Sequence, residues 1–436
     1  MVDKLEYGEL DLPVYQNSRE VFAGLTVSDL AKATVLGGVN LFLAGDTGTG
    51  KTQLATDIYQ VYFAGNKAEG GNGIFIRAHP DVDIYNEIFT KLNIDRKQRE
   101  TTPSLEARVF IADEINRAPP MGQNQFLGLG DGKMDYSGRS ISLGGDGYSL
   151  LIATANIGNG EFRGTFDMDK AMLNRLHVAI DLDYAPMKPT FEDLEKIKAR
   201  SANPNVITSK PKDLSSKIAQ AKKDISEATK AEDLETRAVL NYLQHGLQNC
   251  QRYKGVKDRV WPMGCQDCSH NTAGNALCSL IKEPAPRTME VVRLYAESLR
   301  YLAKLKNPVV KINSTDLVFK AFELTGAYQG LLNQAELRKH YGHNPKLMAE
   351  VISKLREDYK GVSDFILASL SEAKDGRRVV KFFKEGDEFG PYDLLSEEKR
   401  GKFKPIFLYE DNRPVGLSWV PKLTDLIIKQ NKKSEA

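Results

Sequence analysis

Residues Gly45-Asp46-Thr47-Gly48-Thr49-Gly50-Lys51-Thr52 fill every position of the pattern GxxxxGK[ST]. They stand between an apolar run, Val39 to Ala44, and a segment, Gln53 to Phe63, with the pattern of a helix. A buried strand that turns through glycines into a helix is the opening of an α/β domain with a largely parallel sheet, whose ligand lies at the carboxyl ends of the strands. The glycines let the backbone curl so that successive N–H groups point at phosphate oxygens, reinforced by the positive end of the helix dipole. Lys51 would then reach the β- and γ-phosphates and Thr52 would hold a magnesium ion. The segment predicts binding of a nucleoside triphosphate with Mg2+.

Four further apolar runs have the length of buried strands: Gly73 to Arg77, Arg108 to Ala112, Leu150 to Ala155 and Val178 to Leu182. Ser28 to Ala33 reads as a helix leading into the first strand. Beyond Pro186 the strand pattern stops and amphipathic helical segments take over, including Thr236 to Cys250 and Arg287 to Leu305. The prolines of Tyr184-Ala185-Pro186-Met187-Lys188-Pro189 place a boundary there. A third region from about residue 336 reads as helical through Ala373. It ends in strand-like pieces, Arg378 to Phe383 and Pro405 to Tyr409, with a turn at residues 411–414 and a disordered NKKSEA end. The expected domains are therefore an α/β nucleotide-binding core at 1–186, a helical lid at 187–335, and an extension of unassigned role at 336–436.

At 436 residues, with 41% hydrophobic and 27% charged side chains, the chain has room for two or three well-buried cores. Sixty basic against fifty-eight acidic residues leave a net charge of +2, which supplies no whole-chain argument for nucleic acid or an anionic membrane as partner. No apolar run approaches the length needed to span a bilayer, and MVDKLEYGEL has no signal core, so the reading is a cytoplasmic protein. All four cysteines, Cys250, Cys265, Cys268 and Cys278, fall in one window with His270 close by. In a reducing compartment the C-x2-C element can place two thiolates on one tetrahedral zinc ion. The competing reading makes Cys250 and Cys278 small buried hydrophobes.

The Arg108 to Ala112 run ends in Asp113-Glu114, an acidic pair that fits a Walker B element. Asp113 would bind the magnesium through water and Glu114 would act as general base on the attacking water. From here the residues resemble one family. Asp113-Glu114-Ile115-Asn116-Arg117-Ala118-Pro119-Pro120, followed by Gln123 and Gln125, is similar to the DEINRAPP signature of the MoxR family of AAA+ ATPases. Lys133 to Leu143 reads as a β-hairpin around Ser137-Gly138 and resembles the hairpin before the family's sensor 1. Thr154-Ala155-Asn156 resembles sensor 1 itself, which makes Asn156 the residue that hydrogen-bonds the γ-phosphate or the water. Gly164-Thr165-Phe166 and Ala171 to Leu176 resemble the approach to the arginine finger, at Arg175, with Arg163 as a second candidate. Ala285-Pro286-Arg287 resembles sensor 2, which puts Arg287 on the nucleotide from the lid.

The resemblance spans about residues 20 to 335. It implies an AAA+ P-loop NTPase core with a parallel sheet, an α-helical lid and then the α+β extension. It further implies ATP hydrolysis with Mg2+ in a homo-oligomeric ring, a hexamer, that remodels or activates a client protein, for which a von Willebrand factor A domain protein is one candidate. The chain departs from the family in three places. Ala78 to Ala107 lacks a long copy of the family's helix-2 insertion, and the cysteine window and the tail from about 336 lie outside the common pattern. Two other classes stay open: a nucleic-acid-acting ring NTPase, which predicts a basic channel, and a nucleotide-gated scaffold, against which Glu114 and Arg175 both argue.

Overall fold

Five parallel strands order as Val178–Asp181, Leu41–Gly45, Leu150–Asn156, Val109–Asp113 and Gly73–Arg77 in a computed structural model of the chain. The structure describes residues 4–16, 18–63, 72–93, 98–136, 138–157, 164–199, 212–231, 233–248, 277–379, 381–386, 388–407, 417 and 419–434. Every residue of the four strands other than Gly73–Arg77 is buried. Helices cover both faces of a parallel sheet, which is why these segments are unbroken apolar runs rather than alternating ones. All five expected strands form, within two residues of the bounds read from the sequence. Gly45 lies opposite Asn156 and Arg77 opposite Asp113, so the loops that carry the phosphate-binding pattern, the acidic pair and Asn156 leave from the same edge of the sheet.

The chain divides into two compact units. The first comprises Met1–Ala231, Glu290–Asn313 and Lys320–Gly330; the second comprises Glu232–Met289, Ser314–Phe319 and Leu331–Ala436. These bounds differ from the expected boundaries at 186 and 335. The reason lies in packing. Lys212 and Leu214 donate backbone hydrogen bonds to Val61 and Tyr62, and the helix Ser215–Lys230 then packs on the helix Val27–Gly37. Proline in Ala185–Met187 breaks regular structure without ending the unit.

Val27–Gly37 begins at Thr26, whose side chain accepts from the Asp29 N–H while Asp29 bonds back to the Thr26 N–H, a capping box. It ends at Gly38, in the left-handed conformation. Asp29 is fully buried and also accepts from Tyr7 Oη at 2.8 Å, from Lys32 Nζ at 3.0 Å and from Lys306 Nζ at 2.8 Å. Lys306 closes the helix Pro286–Lys306, whose Tyr295 hydroxyl donates to Leu30 O. One carboxylate thus joins three segments far apart in the chain.

Between the second and third sheet strands, where no long insertion is expected, the chain forms a π-helical turn, Tyr85–Phe89, and an antiparallel hairpin of Thr90–Asn93 with Gln98–Thr101. Gln125 fixes its approach by donating to Val82 O and accepting from Ile84 N. The hairpin Lys133–Tyr136 with Arg139–Ser142 forms as read.

In the second unit, Leu234–His245 packs on the long helix Asn344–Lys374, with Tyr242 donating to Asp358 Oδ2 at 2.7 Å. A three-stranded antiparallel sheet of Glu388–Pro391, Lys381–Glu385 and Ile406–Phe407 follows. Phe365 meets Phe382 and Phe389 edge-on. The NKKSEA end corrects the expectation of disorder through Ser434: Val420–Ser434 is a helix. Val420, Thr424 and Ile427 recur on one buried face against Asn344–Lys374, and Asn431 Nδ2 bonds Lys374 O, so the stripe carries the polar end with it. The turn at 411–414 and Tyr409 lie outside the described residues. Among the described residues no helix is long and apolar enough to cross a membrane.

Burial alone would raise the Asp29 carboxyl, but Lys32, Lys306 and the Thr26 N–H overcome it and hold its pKa at about 2. The folded value lies below that of a free carboxyl, about 3.9, so its stabilisation is complete above pH ~4 and is lost as pH falls through 2. Asp29→Asn should therefore lower unfolding free energy at pH 7 by about 3–5 kcal/mol, with the gap to wild type narrowing towards pH 2. Urea titrations at both pH values measure this.

Candidate active site

The phosphate-binding loop turns at Gly45, Gly48 and Gly50, whose φ angles of +140°, +81° and +86° disfavour any residue with a side chain. At Gly50 space is also short, because a Cβ there would stand 2.6 Å from Ile197 Cδ1. Helix Lys51–Phe63 starts at once, so its first N–H groups face the loop's concavity. Lys51 is 6% exposed and folds back on its own loop, donating to Gly45 O at 2.9 Å and Asp46 O at 2.6 Å. Burial pulls its pKa below the ordinary lysine value, opposed by the carboxylates of Asp183, Asp46, Glu114 and Asp113. The ammonium is thus held in place by carbonyls that an anion could replace.

At the carboxyl edge of the sheet, Asp113 Oδ1 accepts from Thr52 Oγ1 at 2.8 Å and from Thr154 Oγ1 at 2.9 Å. Thr154 Oγ1 in turn accepts from the Glu114 N–H at 2.9 Å. Glu114 itself has φ +52° and ψ +47°, a left-handed conformation that costs a residue with a Cβ about 1–2 kcal/mol. That turn swings its carboxylate out of the strand direction, where Asn156 Nδ2 bonds Oε1 at 3.1 Å and Arg117 Nε pairs with Oε2 at 2.5 Å. Asn116 Nδ2 holds the backbone of Asn156 through its carbonyl at 3.0 Å.

A cleft of about 350 Å³ is lined by Lys51, Thr52, Glu114, Thr154, Asn156 and, from the helix Phe191–Ala199, Ile197, with Asp113 hydrogen-bonded to two of its lining residues, Thr52 and Thr154. A hydroxyl and a carboxylate oxygen side by side on Thr52 and Asp113 are the hard donors that suit Mg2+, which needs few protein ligands and completes its shell with water and phosphate. The structure therefore brings together the residues that the sequence singled out in the loop, the acidic pair and Asn156. Thr154 was legible as a polar residue inside the apolar run LLIATAN. Tyr15 and Ile197 were not, because they flank Gly50 only after folding. Tyr15 is fully buried and its hydroxyl donates to Thr49 O. Asp183 was missed as well; burial and the nearby Asp181 carboxylate push its pKa up while it accepts from the Asp46 N–H.

Arg175 follows the short helix Lys170–Leu173, which Asp169 caps through the Ala171 and Met172 N–H groups. Its guanidinium donates Nε and Nη2 to Asp131 Oδ2, each at 2.8 Å, and Nη1 to Ala171 O at 3.0 Å. Its stem packs so closely on Gly130 that a Cβ there would meet Arg175 Cβ at 2.8 Å. Arg287 is exposed in the first turn of Pro286–Lys306, in the second unit. Cys278 is buried, while Cys250, Cys265, Cys268, His270 and Arg163 lie outside the described residues. Among the described residues no group of three His, Cys, Asp or Glu side chains could hold a metal ion, so the zinc reading gains no support.

No protein-family model and no curated protein matches the chain. Among solved structures it is similar to a putative ATPase from Cytophaga hutchinsonii, with a TM-score of 0.51 at 15% identity, over 80% of this chain and 91% of that one. The fold is an α/β core built on a parallel five-stranded sheet, with a helical extension. At that identity the likeness speaks to architecture, and the chemistry rests on the cleft.

Thr154→Val should strand the Glu114 N–H and release one bond to Asp113. The expected loss is about 1–3 kcal/mol of stability, read by chemical denaturation, with nucleotide affinity little changed because Lys51 and the loop are intact.

Proposed function

We propose that this chain is a MoxR-like AAA+ ATPase that hydrolyses ATP with Mg2+ in a homo-oligomeric ring, a hexamer, and uses the cycle to remodel or activate a client protein. The observation that carries this is the convergence, in one cleft, of Lys51, the Thr52–Asp113 pair and a carboxylate, Glu114, aimed by Asn156. Phosphate oxygens replace the Gly45 and Asp46 carbonyls as partners of Lys51, and loop N–H groups supply the remaining donors. Thr52 and Asp113 would hold Mg2+, which would neutralise charge on the phosphates. Glu114 Oε1 and Asn156 Nδ2 then orient a water for in-line attack, and Glu114 takes its proton. Oε2 is open to that water only once Arg117 swings away.

Arg175 supplies positive charge to the nucleotide of a neighbouring subunit after exchanging Asp131 for phosphate. A von Willebrand factor A domain protein is the client to test first. The balanced charge of the chain gives a nucleic-acid motor no comparable support.

Steady-state ATP and GTP hydrolysis by wild type, Glu114→Gln and Arg175→Ala, with mass in solution recorded with and without nucleotide, tests the reading. Wild type should turn over and assemble. Glu114→Gln should lose about 10²–10⁴-fold and trap the ring, and Arg175→Ala about 10³–10⁵-fold. A wild type that binds nucleotide yet neither hydrolyses nor assembles would sink the proposal.

A further inference from the structure

Gln123 lies nine residues past Glu114, is fully buried, and uses its whole amide group. Nε2 donates to Ala118 O at 3.0 Å and to Asp167 O at 3.1 Å, and Oε1 accepts from the Asp169 N–H at 2.7 Å. One side chain thus stitches the end of the acidic-pair segment to the stretch immediately before the helix Lys170–Leu173. Asp169 is the N-cap of that helix, and Arg175 follows it within one turn, with its N–H on Met172 O. A second stitch runs beside it: the Phe166 N–H donates to Asn116 O at 2.7 Å, and the Asn116 side chain holds Asn156 O.

A buried primary amide costs several kcal/mol to desolvate unless all its groups are paired, and an apolar side chain of equal length would take this partner from the Asp169 N–H and the Ala118 and Asp167 carbonyls. What the amide adds to the Phe166–Asn116 backbone bond is three further bonds that fix the spacing of two backbones joined by no sheet or helix ladder. The segment it fixes is the one that aims Arg175. The segment it is fixed to begins at Glu114.

We propose that Gln123 is a positioning residue that locks the Asp167–Asp169 turn to the Glu114–Ala118 segment, and so sets where a subunit presents Arg175 to its neighbour. This rests on the reading of Arg175 as a residue acting on the adjacent subunit's nucleotide. Gln123 touches neither nucleotide nor water. Its own subunit's Lys51, Glu114 and Asn156 stay intact when it is replaced, so its loss damages the neighbour's site and spares its own.

Complementation in mixed assemblies of the full chain tests this. Gln123→Met keeps chain length and volume while removing all three hydrogen bonds, and Gln123→Ala serves as a second variant. Alone, each should lose at least tenfold in kcat with affinity for a fluorescent ATP analogue within threefold of wild type. Co-expressed with Glu114→Gln, whose Arg175 is sound, either should regain at least twofold over the more active parent, because its intact site now faces an intact arginine. Arg175→Ala co-expressed with Glu114→Gln is the control. Recovery in the control without recovery for Gln123 overturns the proposal. Loss of nucleotide binding in both Gln123 variants makes Gln123 a residue of the fold and overturns it too. No recovery in the control, with active wild type, overturns the trans role of Arg175 and this inference with it, while leaving hydrolysis at the Lys51–Glu114 cleft standing.

Discussion

The Asp113 carboxylate accepts hydrogen bonds from Thr52 and Thr154, and the remainder of the cleft is arranged around that pair of contacts. Thr52 belongs to the helix that leaves the phosphate loop, Asp113 ends one strand, and Thr154 lies two residues before the end of the strand Leu150–Asn156, which runs between Leu41–Gly45 and the Asp113 strand. Parallel register brings the three to one edge, and the two hydrogen bonds then fix their separations to within the tolerance of such bonds. A metal held by Thr52 and Asp113 would inherit that rigidity, since the supporting partner, Thr154, is itself buried.

Around this fixed centre the charged groups are held by contacts that can be exchanged. Lys51 rests on loop carbonyls, Glu114 on Asn156 and Arg117, and Arg175 on Asp131. Each pairing satisfies a charge that would be costly to bury alone. Each is also a bond that a phosphate or a water could replace at small net cost. The left-handed backbone at Glu114 belongs with these: a residue held in a sparsely populated conformation beside reactive groups is maintained by its surroundings, here by the Thr154 hydroxyl on its N–H.

Buried polar side chains do a different task away from the cleft. Asp29 gathers Tyr7, Lys32 and Lys306, and Asn40 reaches Gly130 O, Arg175 O and the Leu151 N–H. Both join segments more than a hundred residues apart in the chain. Apolar packing would favour the same collapse, but hydrogen-bond geometry admits fewer ways of making it.

Local pattern made much of this protein readable before folding. The apolar runs ending in Gly45, Asp113 and Asn156 are long enough to be strands buried on two faces, and strands that alternate with helices give a parallel sheet, so Lys51, Thr52, Asp113, Glu114 and Asn156 had to meet at its carboxyl edge. The glycines at 45, 48 and 50 were equally legible, because positive φ is a property of a single residue. What the tertiary structure decided depends on contacts between segments with no pattern in common. Tyr15 and Ile197 against Gly50, Asp131 under Arg175, and Gln123 between Ala118 and Asp169 are of this kind. The unit boundary at Ala231 and the ordered helix through Ser434 belong there too, since both depend on which apolar stripe finds a partner. Periodicity is written in neighbouring residues, whereas the partner of a polar side chain is set by where the whole chain brings it.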